Sequence, residues 1–145
     1  MPVIDLVGRL LLAAGLGAAL GLEREYRKKP AGLRTNILIA LGSASLTTLS
    51  MTMGAHGGTP DRITAQIVTG IGFLGAGAII RSGTTVRGMT TAATIWVNAA
   101  IGMAAGAGEV VMATVTASLT LVVLALLGPL ESYFEHRAGT DGDQP

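Results

Sequence analysis

Five apolar stretches, each about 19 to 21 residues long, take up most of this chain, and nearly all of its charge lies between them. A hydrocarbon layer of roughly 30 Å takes about 20 residues of helix to cross. No water is available there to satisfy backbone groups, so a spanning segment must be a helix or a strand of a closed barrel. Barrel strands alternate apolar and polar residues, and these stretches do not. Half of the residues are hydrophobic, 13% are charged, and the mean hydropathy is +0.58. The expected fold is therefore an all-α membrane protein, a bundle of five transmembrane helices.

The spans are expected at about 3–22, 33–53, 62–80, 89–107 and 109–127, within a membrane domain of residues 1–130 followed by a polar tail, 131–145. The breaks are the charged run from Glu23 to Lys29 closed by Pro30 and Gly32, a polar loop from His56 to Asp61, a turn from Arg81 to Gly88, and the short Gly106-Ala107-Gly108. The first stretch has no basic segment before it and no cleavage site after it, so it reads as a retained helix and not as a signal peptide. Eight of the ten basic residues (Arg24, Arg27, Lys28, Lys29, Arg34, Arg81, Arg87, Arg137) fall on one side of the expected bundle, with Arg62 opposite and Arg9 inside the first span. Basic loops stay in the cytoplasm. The N-terminus is expected outside and the C-terminus in the cytoplasm, which requires an odd number of spans.

Helices in lipid associate through small residues that let backbones approach. The chain has 21 glycines. Gly17 with Gly21 and Gly102 with Gly106 form four-apart pairs, and Gly70, Gly72, Gly75 and Gly77 make the third span the expected centre of the bundle. Gly70, Gly72 and Gly75 also match the spacing of a dinucleotide-binding turn, but no strand precedes them. At about 100° per residue, Asn36, Ser43, Thr47 and Ser50 share one face of the second span, and Thr91, Thr94 and Asn98 one face of the fourth. Arg62, Gln66 and Thr69 cluster on the third. Such stripes serve either interhelical hydrogen bonds or a polar cavity.

Charge at membrane depth calls for a partner. Arg9 has two candidates, Asp5 one turn before it and a pocket around Gln66. At the inner side, Glu23, Arg24, Glu25, Arg34, Asn36 and Arg87 gather near Thr90 and Thr91, where a fourth-helix N-terminus would offer backbone N–H groups. This is a binding cluster or simply a topology signal. Carboxylates can hold a hard cation such as Mg2+, but Glu23 and Glu25, two apart on a helix, do not face each other. Cysteine is absent and only two histidines are present, which argues against thiolate or histidine metal centres. No Ser-His-Asp, phosphate-loop or zincin pattern occurs. The reading is a non-enzyme without a cofactor and without a nucleic-acid partner.

Four co-linear segments carry a resemblance: Gly21-Leu22-Glu23-Arg24-Glu25, Lys29-Pro30-Ala31-Gly32-Leu33-Arg34-Thr35, the run from Gln66 to Gly77, and Val86-Arg87-Gly88-Met89-Thr90-Thr91-Ala92-Ala93. In this order they resemble the MgtC/SapB family of bacterial inner-membrane proteins over residues 3–128. The resemblance implies a five-span membrane domain tied to magnesium homeostasis, growth at low magnesium, virulence and stress adaptation, and in some members restraint of the ATP synthase. Longer members carry an ACT-like domain after the last span, so a short, SapB-like form is expected. The functional expectation is a protein that binds a membrane partner or an ion, as a homodimer through a glycine-rich face. The alternative is a cation or small-solute transporter, for which five spans without an inverted repeat are less natural.

Overall fold

A computed structural model describes residues 1–55 and 61–140; most of the expected polar loop, 56–60, and the end of the tail, 141–145, lie outside the described residues. Five helices follow in order: α1 (Val3–Tyr26), α2 (Leu33–Ala55), α3 (Asp61–Gly77), α4 (Met89–Ala107) and α5 (Val110–Thr140). Between α3 and α4 stands a two-stranded antiparallel hairpin, β1 (Ile80–Ser82) with β2 (Thr85–Arg87). Helices α1, α2 and the Val110–Leu127 part of α5 are long and apolar enough to cross a membrane by length and composition. Helix α4 spends part of its length on Thr90, Thr91, Thr94 and Asn98, three of which it buries. α3 has 17 residues, about 25 Å at helical rise.

The centre of the bundle is α2, not α3. On α1 the buried residues Ala13, Gly17, Leu20, Gly21 and Arg24 form a single stripe. It meets α2, and α4 packs against both α2 and α1. A Cβ at Gly17 would lie 2.8 Å from Ala40 Cβ, and one at Gly102 or Gly106 would lie 2.4 Å from the carbonyl oxygen of Ala40 or Ala44. These glycines let two helices seat directly on the α2 backbone, the close approach that packing in lipid favours. Ala113 and Ala117 of α5 join the same core. In α3, by contrast, a Cβ at Gly70, Gly72 or Gly77 would meet nothing within 4 Å. That helix is attached by a separate seam, Ile71 against Ile39, Ile95 and Ala99.

Two further differences from expectation have local causes. The segment after α3 closes as a hairpin because Gly83 takes φ +62° at the first position of a two-residue turn, the arrangement that matches strand twist. Three-residue arms are too short to show alternation in the sequence. The fifth helix continues through Gly128 and Pro129 to Thr140, past the expected end near 127. Pro129 has no N–H for the carbonyl of Ala125, four residues earlier, and that carbonyl instead accepts from Arg27 Nη2 at 2.8 Å.

Candidate functional site

The end of α1 distributes its charges in three directions, one per 100° step. Glu23 pairs with Arg27 one turn later, Oε1 to Nε at 2.7 Å. Arg24 turns into the bundle, 4% exposed, and its Nη2 donates to Thr91 Oγ1 at 2.9 Å. Glu25 reaches across the connection, where its Oε2 accepts the N–H of Leu33 at 2.8 Å and so caps the first turn of α2. Gly32 leaves room for this, since a Cβ there would lie 2.7 Å from Glu25 Oε2. Glu23 and Glu25 therefore diverge, and among the described residues no group of three His, Asp or Glu is placed around a cation.

The chain turns between α1 and α2 in a paired-bond C-cap, Lys28 N–H to Glu25 O and Lys29 N–H to Arg24 O, with Lys28 at φ 53° and Ala31 at φ 56°. Asn36 closes the turn by donating from Nδ2 to the carbonyls of Ala31 and Gly32. Asn98 of α4 then donates from its own Nδ2 to Asn36 O at 2.7 Å and Asn36 Oδ1 at 3.1 Å. Both asparagines are fully buried. The polar stripes of α2 and α4 thus face each other across the glycine contacts, joined by hydrogen bonds. Thr47 Oγ1, Asn98 Oδ1 and Arg24 Nε remain buried with no partner.

At the opposite end Arg9 makes no ion pair with Asp5 and is not brought to Gln66. Its Nη1 donates at 2.8 Å to the carbonyl of Gly106, which also accepts from Thr48 Oγ1 at 3.0 Å. That carbonyl lies in the last turn of α4, where intrahelical donors have run out and the helix dipole favours a cation. The turn is closed by Gly108 at φ +87°, with Glu109 N–H bonded to Ala104 O in a Schellman arrangement. Arg9 is the side-chain cap of this end.

The remaining candidates lie apart. Arg34, Arg62, Gln66, Arg87 and Thr90 are exposed. Gln66 lines a groove of about 790 Å³ between α2 and α3, floored by Ile95 of α4 and otherwise lined mostly by Leu and Ile, with Thr35 and Ser43 as its other polar side chains. Gly42 and Gly70 stand on its two walls, exposed. Sequence reasoning missed Thr48, Arg27 and this groove. Arg27 was within reach, four residues after Glu23; Thr48 and the groove depend on how helices meet, and no local spacing announces that.

The MgtC family model matches residues 10–133. An uncharacterized protein of Synechocystis is 44% identical over 129 residues, covering 89% of this chain and 55% of its own length. Protein MgtC of Brucella abortus is 46% identical over 123 residues (85% and 51%), and Protein MgtC of Salmonella typhimurium 50% identical over 109 residues (75% and 46%). The chain spans about half the length of the curated relatives it matches. No solved structure matches it. With a matching region that contains every contact of α1, α2 and α4 described above except those of Arg9, the chain belongs to the MgtC family.

Proposed function

We propose that this MgtC-like protein of the bacterial inner membrane acts without catalysis, by binding a transmembrane helix of a partner protein in the groove between α2 and α3, and that it serves growth at low magnesium and adaptation to stress. The observation that carries the proposal is the contrast between two surfaces. The polar faces of α2 and α4 are closed on each other by Asn36, Asn98 and the glycine contacts, which offers no support for a solute path. The groove opens sideways, toward lipid. Its walls carry small residues at Gly42 and Gly70, the type that lets a second backbone come close. Gln66 presents an amide there that has no hydrogen bond among the described residues, and such a group in an apolar setting needs a polar partner. With Arg24, Arg27, Lys28, Lys29, Arg34, Arg81 and Arg87 at one end, the N-terminus would lie outside and the C-terminus in the cytoplasm.

The test is complementation of growth at low magnesium by Gly42→Leu and Gly70→Leu, which fill the groove where a side chain meets no neighbour. Growth is expected to fail at unchanged protein level. A photo-crosslinker at Leu74 should give an adduct that one at Val122 of α5 does not. An adduct with the ATP synthase, which the family resemblance suggests, would name the partner; one at twice the chain mass would make it a second copy. Normal growth of both variants, or cation flux through liposomes holding the purified protein, would overturn the proposal.

A further inference from the structure

One end of the bundle sets two sources of positive potential against each other. Arg24 is 4% exposed, and its guanidinium reaches Thr91, the third residue of α4. Its Nε is buried and has no acceptor. Helix α4 has 19 residues and begins at Gly88 with no side-chain cap. The N–H groups of a helix's first turn have no intrahelical acceptor, and together with the macrodipole they amount to about half a positive charge. A cation in that position is unfavourable for the same reason that an anion is favourable. Of the neighbouring carboxylates of α1, Glu25 is held by the N–H of Leu33, and Glu23 pairs with Arg27 through Oε1 while its Oε2 is buried with no hydrogen-bond partner.

Thr91 adds a directional detail. Its hydroxyl oxygen accepts from Arg24, while its proton makes no hydrogen bond among the described residues. Gly88 fixes where the helix starts: at φ +92° a Cβ would lie 2.0 Å from the carbonyl oxygen of Ala78, so only glycine lets α4 begin against the end of α3. Arg34, Arg81 and Arg87, all exposed at this end, add an attractive field for an approaching anion.

We propose that a phosphate-class oxyanion binds between Arg24 and the N-terminus of α4, held by Arg24 Nε, the Thr91 hydroxyl and the first N–H groups of the helix. A phosphate group offers several strong acceptor oxygens, which suits donors converging from a side chain and a helix end. The site lies where α1 ends and α4 begins, the level of bilayer headgroups. The phosphate can thus come from an anionic phospholipid or from solution, and the test separates these sources.

The full chain, purified in a neutral maltoside, is unfolded thermally while the fluorescence of its single Trp, Trp96 in α4, is followed. Inorganic phosphate is titrated against chloride at constant ionic strength. In parallel, phosphatidylglycerol or phosphatidylcholine is added to the micelles. A saturable rise in Tm with inorganic phosphate assigns a soluble oxyanion; a rise with phosphatidylglycerol alone assigns a headgroup. In either case Thr91→Val is expected to shift the half-saturation point at least tenfold and Arg62→Gln, on α3 away from this end, to leave it in place. Arg24→Lys keeps the charge and loses Nε, so it should weaken binding even if Arg24→Gln does not fold. Absence of a saturable rise with both ligands overturns the proposal, as does a rise that Arg62→Gln abolishes as fully as Thr91→Val.

Discussion

Replacing Gly102 with Ala should cost more than its single methyl suggests. The new Cβ would lie 2.4 Å from Ala40 O, 2.9 Å from its Cα and 3.0 Å from its carbonyl carbon. These are backbone atoms of a helix that cannot rotate away. A comfortable carbon-to-oxygen contact is about 3.3 Å, so α2 and α4 must part by about 1 Å. A gap of that size forfeits a quarter to a half of each contact, and about 40 contacts of 0.1–0.2 kcal/mol then lose about 1–4 kcal/mol. The Asn98 to Asn36 bond, 2.7 Å long, is stretched as well, at a cost of about 1 kcal/mol. Better helix propensity returns about 1 kcal/mol, leaving a net loss of about 1–4 kcal/mol. Gly42→Ala is the control, since its Cβ meets nothing within 4 Å; it should be neutral or stabilising by up to about 1 kcal/mol. The assay is reversible unfolding in mixed micelles at rising dodecyl sulfate fraction. Two variants of equal stability would refute the reasoning, because they would mean that α2 and α4 are not seated backbone to backbone.

Arg9→Ala removes the cap on α4 and leaves Gly106 O with Thr48 alone; a loss of about 1–2 kcal/mol is expected in the same unfolding assay, whereas Asp5→Asn should be silent. Gly88→Ala forces a Cβ to 2.0 Å from Ala78 O at φ +92°, and the protein should fail to accumulate in membranes, read by immunoblot against the wild type. Lys28→Gly relieves a left-handed residue at φ 53° and should stabilise by about 0.5–1 kcal/mol, provided unfolding is followed away from the headgroups of anionic lipid.

Much of the helix content was legible in the sequence because length and hydropathy act locally: each apolar stretch must satisfy its backbone within itself. The buried faces were legible too. Asn36, Ser43, Thr47 and Ser50, and likewise Thr91, Thr94 and Asn98, lie inside as their spacing requires. The central helix was not legible. Glycine count pointed to α3, yet glycine permits close approach without demanding it, and the glycines that matter are those opposite Ala40 and Ala44. The stripe of Arg62, Gln66 and Thr69 is exposed on α3, because α3 offers the core only a narrow seam including Ile67 and Ile71. Arg9 shows a different limit. Its partner is a carbonyl 97 positions away, and a backbone group has no signature in the sequence.

The two proposed sites meet at one junction. Helices α1, α2 and α4 are locked by glycine-to-backbone contacts that cannot slide without loss of the Asn36 to Asn98 bonds. α3 is held by an isoleucine seam and by the contact of Gly88 with Ala78, so it is the element with the least to lose on moving. Anything seated in the groove touches α3 along Gln66, Gly70 and Leu74, and anything at Arg24 touches the start of α4 at Thr91, three residues from Gly88. A ligand shifts an equilibrium only by its differential affinity for the two states. Coupling between the sites would therefore require that the position of Ala78 against Gly88 differ between an occupied and an empty groove. Of the contacts described, it is the one that joins the end of α3 to the start of the helix Arg24 reaches.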